Sequence, residues 1–213
     1  PQPAAREDFT APEASRYNTL YPGRPVTIYI NHVEGFPMGI KIVIPQQVIP
    51  YTSDQLDRWV RGEREDCADA YCKRLPGSYG FGEFIVGQHF EKQGYCWIHH
   101  DYNIFGGNKL GKYPKADEVL GKYFGKDKFM MLRTTYKHFT GFQEPDLMIY
   151  RPDFSELRFA ECKRHDTNDQ LNIKQVRGLA LIASLLECDV GLYFISMDKG
   201  AHPEDLQFEL HGN

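Results

Sequence analysis

The chain has 213 residues, of which 41% are hydrophobic, 25% charged and 14% aromatic, and its formal net charge is −4. This composition supports a core and excludes wholesale disorder. The longest uncharged apolar stretch, Gly178–Leu186, is too short to cross a bilayer, so no membrane partner is expected, and the acidic balance excludes a uniformly basic nucleic-acid coat. Five cysteines without a CxxC pair read as reduced thiols in a cytosol-like compartment.

In chain order, residues 1–23 form a Pro- and Ala-rich linker or arm in which no secretory leader is legible. Residues 24–74 form an N-terminal β/α extension. Pro25–Ile30 (PVTIYI) and Gly39–Ile44 (GIKIVI) predict a hairpin around Gly35 and Pro37. Thr52 and Ser53 precede a helix over Asp54–Lys73, with Ser53 as N-cap and Leu56, Trp59 and Val60 on its apolar face. Asp66, Cys67, Asp69 and Cys72 are expected on its solvated face, not as a metal cluster.

Residues 75–200 carry the predicted α/β core. The loop Leu75–Gly82 (LPGSYGFG) lacks the GxGxxG order of a dinucleotide turn and feeds a helix, Phe81–Gln93, closed by Gly94. Tyr95–His100 (YCWIHH) reads as a strand. The insertion 101–142 follows. Past Asp101 it has eight basic residues against Asp117, Glu118 and Asp127, a local charge of +5 that leaves −9 for the remainder. Its lysines alternate with aromatics, a composition that tracks phosphates and stacks on bases. Lys109, Lys112, Lys115, Lys122, Arg133 and Lys137 are therefore candidate DNA contacts. The competing expectation is a subdomain whose aromatics pack together and whose lysines only solubilise it.

Asp146–Tyr150 (DLMIY) and Leu157–Lys163 (LRFAECK) read as strands joined by a turn at Pro152 and Asp153. A helix capped by Asp166 or Thr167 runs to about Glu187, then a buried strand Val190–Ile195, then a polar tail, 201–213. From Phe81 the order helix, strand, strand, strand, helix, strand predicts α/β with a mixed sheet. Alternation along a strand puts Glu161 and Lys163 on one face and Cys162 on the other. If the two strands pair, Asp146 joins them. Two carboxylates and an ammonium at a sheet end suit a hard divalent cation beside a phosphate.

Glu144-Pro145-Asp146-Leu147, Glu161-Cys162-Lys163 and Asp169-Gln170-Leu171-Asn172-Ile173-Lys174-Gln175 resemble the motifs of the PD-(D/E)xK nuclease superfamily, and more narrowly its virus-type replication–repair (VRR-NUC) branch. The likeness spans Phe81–Ile195. It implies a restriction-endonuclease-like αβββαβ core, a mixed sheet flanked by helices, and a Mg²⁺- or Mn²⁺-dependent DNA endonuclease. Asp146, Glu161 and the Cys162 carbonyl would hold the metal. Lys163 would activate or position the water, and Gln175 would help arrange the site. Glu83 is the candidate for a further carboxylate on the first core helix, with Glu91 second. Arg164, His165 and Lys174 border the motif as candidate phosphate contacts. Arg164 and Gln170 depart from the pattern, standing where Gly and Arg are common.

A weaker alternative is an HNH-type site at His99-His100-Asp101, Asn103 and His138, which lacks the Cys/His finger of that class. Another is the same fold without catalysis, holding DNA or protein. Relatives in the branch include repair, junction-cleaving and phage nucleases and antibacterial toxins. The initial Pro and linker-like start suit a delivered effector acting in a target cytoplasm, which would need a cognate immunity protein; a repair or phage enzyme suits them equally.

Overall fold

The computed structural model describes residues 27–31, 39–105, 108–135, 141–167, 169–197 and 206–210. The arm, the Gly35–Pro37 turn, Lys137 and His138 lie outside the described residues.

The structure is mixed α/β. Its centre is a five-stranded sheet of Gln46–Pro50 (β3), Asp189–Ser196 (β7), Leu157–Arg164 (β6), Leu147–Tyr150 (β5) and Cys96–His99 (β4), in that spatial order. β4, β5 and β6 are antiparallel neighbours, whereas β6–β7 and β3–β7 are parallel. Phe81–Glu91 (α2) covers one face and Ile173–Leu186 (α5) the other. Alternation sorts the side chains. Leu147, Ile149, Ala160 and Cys162 join the α2 layer, while Met148, Tyr150, Leu157 and Phe159 join the α5 layer. Gly87 lets α2 approach closely, since a Cβ there would lie 2.3 Å from the Trp97 ring.

The predicted hairpin is present as Thr27–Asn31 (β1) paired antiparallel with Gly39–Ile44 (β2). The rest of the extension departs from expectation. β3 belongs to the core sheet through its parallel pairing with β7, so the boundary at residue 75 cuts off a core strand. The first helix, Ser53–Arg61 (α1), is short. Thr52, not Ser53, caps it, in a box with Gln55 worth about 1 kcal/mol. Gly62 stops it at φ +87°, in the left-handed region. Beyond it the chain turns, with one 3₁₀ turn at Cys72–Arg74. Cys67 and Cys72 are buried there and do not line a solvated helix face.

The insertion is not a separate subdomain. Its helices Pro114–Phe124 (α3) and Lys126–Thr135 (α4) bury Ala116, Val119, Leu120, Phe129 and Leu132 in the same core as α5. The cap of α5 also differs. His165–Thr167 is a 3₁₀ turn, and α5 starts only after Asn172, whose side chain accepts the Lys174 and Gln175 N–H groups. The polar tail contains a strand, Leu206–Leu210 (β8), paired antiparallel with β2.

Candidate active site

The β5–β6 ladder ends at the Leu147–Ala160 pair. Asp146 stands one residue before it, and its Oδ2 accepts the Cys162 N–H at 2.9 Å. A side-chain oxygen thus takes the place of the next ladder carbonyl. The N–H and C=O of one strand residue leave by the same edge, so the Cys162 carbonyl faces the gap in which Asp146 sits. His100, at φ +61°, turns the chain away from β4 there and donates its N–H to the Asp146 main-chain oxygen at 3.3 Å.

Glu161 and Lys163 continue the α5 face of β6. Glu161 is 0% exposed. Its Oε1 lies 3.0 Å from Lys163 Nζ and accepts a short hydrogen bond from Gln175 Nε2. Its Oε2 is buried with no hydrogen-bond partner among the described residues. The Asp146 charge acts on the Glu161 carboxyl. Burial, and then the Asp146 charge, push the Glu161 carboxyl up to about 9. Burial, and then Glu83, push Asp146 up to about 6. For Lys163, burial pulls the ammonium down, but Glu161, Asp146 and Asp169 together outweigh it and hold it above its ordinary value. Asp169 faces Lys163 Nζ at 3.3 and 3.4 Å.

Gln175 has two tasks. Its Oε1 accepts the Asn172 N–H at 3.1 Å, closing the α5 capping box, while its Nε2 goes to Glu161. Gly178, one turn on, lets the segment before Asp146 pass: a Cβ there would lie 1.8 Å from the Gln143 carbonyl oxygen. Gln143 donates its N–H to Lys174 O at 2.9 Å. Glu144, inside the first motif, is structural: it accepts from Asn103 Nδ2 and from the Ile104 and Phe105 N–H groups at 2.9, 2.7 and 3.3 Å. Tyr102 OH donates to Pro145 O. Asp146 is therefore held from both sides before any ligand arrives.

Glu83, the third residue of α2, brings a third carboxylate, with its Oε1 3.6 Å from His99 Nε2. Burial raises the Glu83 carboxyl and lowers the His99 imidazole, which keeps the latter neutral near pH 7. His99 Nδ1 is buried without a partner among the described residues. Asp69 anchors this corner by accepting the His99 N–H at 3.0 Å and the Cys72 N–H at 2.7 Å. Asp69 carried no helical or strand signal of this role, and Asp169 was visible only as a motif letter. His99 takes its place beside Glu83. Glu91 is elsewhere, accepting Trp97 Nε1 at 2.7 Å.

The expected basic surface is dispersed. Lys115 and Lys122 pair with Glu118 at 3.4 and 2.8 Å and lie over the Phe154 ring at 5.6 and 4.4 Å. Phe154 stacks on Tyr150, at the end of β5 opposite Asp146. Arg133 is drawn inward, donating to the Asn103 and Asn108 carbonyls. Lys112 donates to Asn108 Oδ1 at 3.0 Å, and Lys109 is exposed. Arg164 is held by Asp166 and by the Ser78 carbonyl. His165 packs on Phe194 with ring centroids 5.1 Å apart, and Lys174 is exposed at the start of α5.

The arrangement is a buried anionic centre with too few cations of its own. Asp146, Glu161 and the Cys162 carbonyl offer hard oxygen donors of the kind Mg²⁺ and Mn²⁺ take, and the unpartnered Glu161 oxygen is the acceptor such an ion would satisfy. Among the described residues, no group of three His, Cys, Asp or Glu side chains is placed to hold a metal ion; the donor set here is two carboxylates and a main-chain oxygen. No described helix is long and apolar enough to cross a membrane. Comparison with family models, curated proteins and solved structures yields no match.

Proposed function

We propose that this chain is a divalent-metal-dependent phosphodiesterase that cleaves DNA internally, with a PD-(D/E)xK-type core. The supporting observation is the carboxylate pair at the open end of the β5–β6 ladder: Asp146 bonded to the Cys162 N–H and, on the neighbouring residue, a fully buried Glu161 with one oxygen unpartnered. One ammonium, Lys163, faces three acids there, so the acids cannot all stay ionised in a dry site without a further counter-charge.

Bound Mg²⁺ or Mn²⁺ would screen the phosphate charge and acidify a water. The chain's own groups do the rest. Gln175 and Lys163 fix Glu161 Oε1. Lys163 stays protonated at neutral pH because three acids surround it, so it orients the attacking water and offsets charge developing on the phosphate, and does not act as base. Asp169 holds its ammonium from the other side, at 3.3 Å. Glu83, beside neutral His99, adds a further carboxylate whose charge acts on Asp146.

A plasmid-nicking assay in Mg²⁺, Mn²⁺ or EDTA, beside Lys163→Ala, tests the reading. Cleavage is expected with either metal, none in EDTA, and a loss of at least about a hundredfold in the variant. Absence of metal-dependent cleavage in the parent, or parental rates in the variant, would overturn it.

A further inference from the structure

The loop that leads into α2 is clamped along its whole length. Arg64, itself buried, donates to the Leu75 carbonyl and, at 2.6 Å, to the Gly77 carbonyl. The Pro76 carbonyl accepts the Tyr79 N–H at 3.1 Å, and the Ser78 carbonyl accepts Arg164 Nη1 at 2.9 Å. Trp59 Nε1 donates to the Tyr79 carbonyl at 3.1 Å, and Cys72 Sγ to the Gly80 carbonyl at 3.2 Å. Every carbonyl from Leu75 to Gly80 is thus engaged by the protein. Gly77 and Gly80 take positive φ, +55° and +76°, where a side chain would be strained.

This rigid loop presents the Tyr79 side chain, 73% exposed. Lys73 and Arg74, just before the loop, are exposed as well. The loop is tied to the end of β6 that carries the site. Arg164, which holds Ser78, directly follows Lys163, and its stem packs against Gly82, where a Cβ would lie 3.1 Å away. Glu83 is four residues beyond Tyr79. At the other end of the segment, the Tyr71 ring packs on His99 and His100 with centroids 5.5 and 5.6 Å away. An aromatic face beside exposed cations binds single-stranded nucleic acid by stacking a base and tracking the phosphates. A pre-ordered backbone removes much of the ordering cost of binding.

We propose that Tyr79 is the stacking platform for an unpaired base of a DNA strand seated on the Asp146–Glu161 centre, with Lys73 and Arg74 following its phosphates. The assignment rests on the phosphodiesterase reading. It moves the nucleic-acid surface from the insertion to residues 73–79 and makes Tyr79 a determinant of substrate structure, favouring DNA with an unpaired nucleotide near the cleaved bond.

The test is binding of a fluorescein-labelled single-stranded oligonucleotide and its duplex to the intact chain in EDTA, by anisotropy, for the parent, Tyr79→Ala, Tyr79→Phe and Arg74→Ala. A parallel titration uses a strand containing 2-aminopurine, whose emission is quenched on stacking. Tyr79→Ala should bind the single strand roughly 5- to 100-fold more weakly and lose the quenching, whereas Tyr79→Phe keeps both. Arg74→Ala should weaken binding and flatten its salt dependence. Equal single-strand affinity for Tyr79→Ala and parent, with parental nicking intact, overturns this assignment alone. A parent that neither binds nor cleaves DNA overturns both readings. A parent that binds but never cleaves, with the Tyr79→Ala loss present, upholds the platform and removes the catalytic reading.

Discussion

The Asp146 carboxylate stands in for a backbone carbonyl: its Oδ2 receives the Cys162 N–H that β5 would otherwise have taken. This bond ties the start of one strand to the residue next to Glu161 on the other, and the Asp146 charge raises the Glu161 carboxyl. The two ends of the predicted motif are thus joined by a hydrogen bond as well as by charge. An amide can keep the bond and discard the charge. Asp146→Asn is expected to fold with parental stability and to lose cleavage, by about a hundredfold or more. Asp146→Ala should lose cleavage and also about 1–2 kcal/mol of stability, because the Cys162 N–H is left without its acceptor. Urea unfolding beside the nicking assay separates the two effects.

The raised Glu161 carboxyl predicts an inverted pH dependence of stability. The native chain holds this proton up to about pH 9, while the unfolded chain releases it near an ordinary value of about 4.3. Between those limits the native state binds more protons, so in EDTA stability falls as pH rises through the window. Glu161→Gln removes this slope above about pH 6, where the Asp146 share has ended, and is more stable than the parent at the alkaline end. Saturating Mn²⁺ should restore the parent and not the variant. Denaturant midpoints across the window, with and without metal, check this; a parental midpoint in EDTA that rises toward pH 9 would contradict it.

Lys163 and Glu161 form a buried pair at 3.0 Å. Below about pH 9 the Glu161 carboxyl holds its proton, so Lys163→Met strips a hydrogen-bond donor from a buried neutral acceptor and should cost about 1–3 kcal/mol near neutral pH. Adding Glu161→Gln completes a double-mutant cycle, read by chemical denaturation, that measures the coupling.

Gly178 governs how closely the segment before Asp146 lies on α5. Gly178→Ala places its Cβ against the Gln143 carbonyl. One of the two backbones must shift, at about 1–3 kcal/mol, and Asp146 shifts with it. The expected result is a stability loss joined to an activity loss. An alanine at Gly111, where a Cβ would meet nothing within 4 Å, should leave cleavage near parental while carrying only the strain of its positive φ.

The insertion lysines offer a contrast with the loop at residues 73–79. Lys122 is committed to Glu118 and to the Phe154 face, at the end of β5 away from Asp146. Lys122→Ala should change oligonucleotide affinity less than Arg74→Ala does, read in the same anisotropy titration.

Much of this centre was legible before any coordinates. Strand alternation assigned Glu161 and Lys163 to one face and Cys162 to the other, because successive side chains point to opposite faces of a strand. The start of α2, the antiparallel β1–β2 pair and, apart from α3 and α4, the element order from Phe81 follow from local periodicity and turn residues in the same way. The cap of α5 did not: Asp166 and Asn172 are both good capping residues, and the choice went to the one whose helix lets Gln175 reach Glu161.

The remainder was decided by contacts between distant residues. That β3 runs parallel to β7, that β8 pairs with β2, and that Asp69 holds the His99 backbone leave no mark on local pattern, since a strand's hydrophobic period does not name its partner. The charge of the insertion is likewise not a map of its surface. Composition counts its cations, but only the fold reveals that Arg133 is turned to carbonyls and Lys115 and Lys122 to an acid and a ring. By itself the sequence determined which residue types lie along each strand face. Tertiary packing decided which of them meet, because the burial and close approach that shift Glu161, Lys163 and Asp146 exist only once the chain is folded.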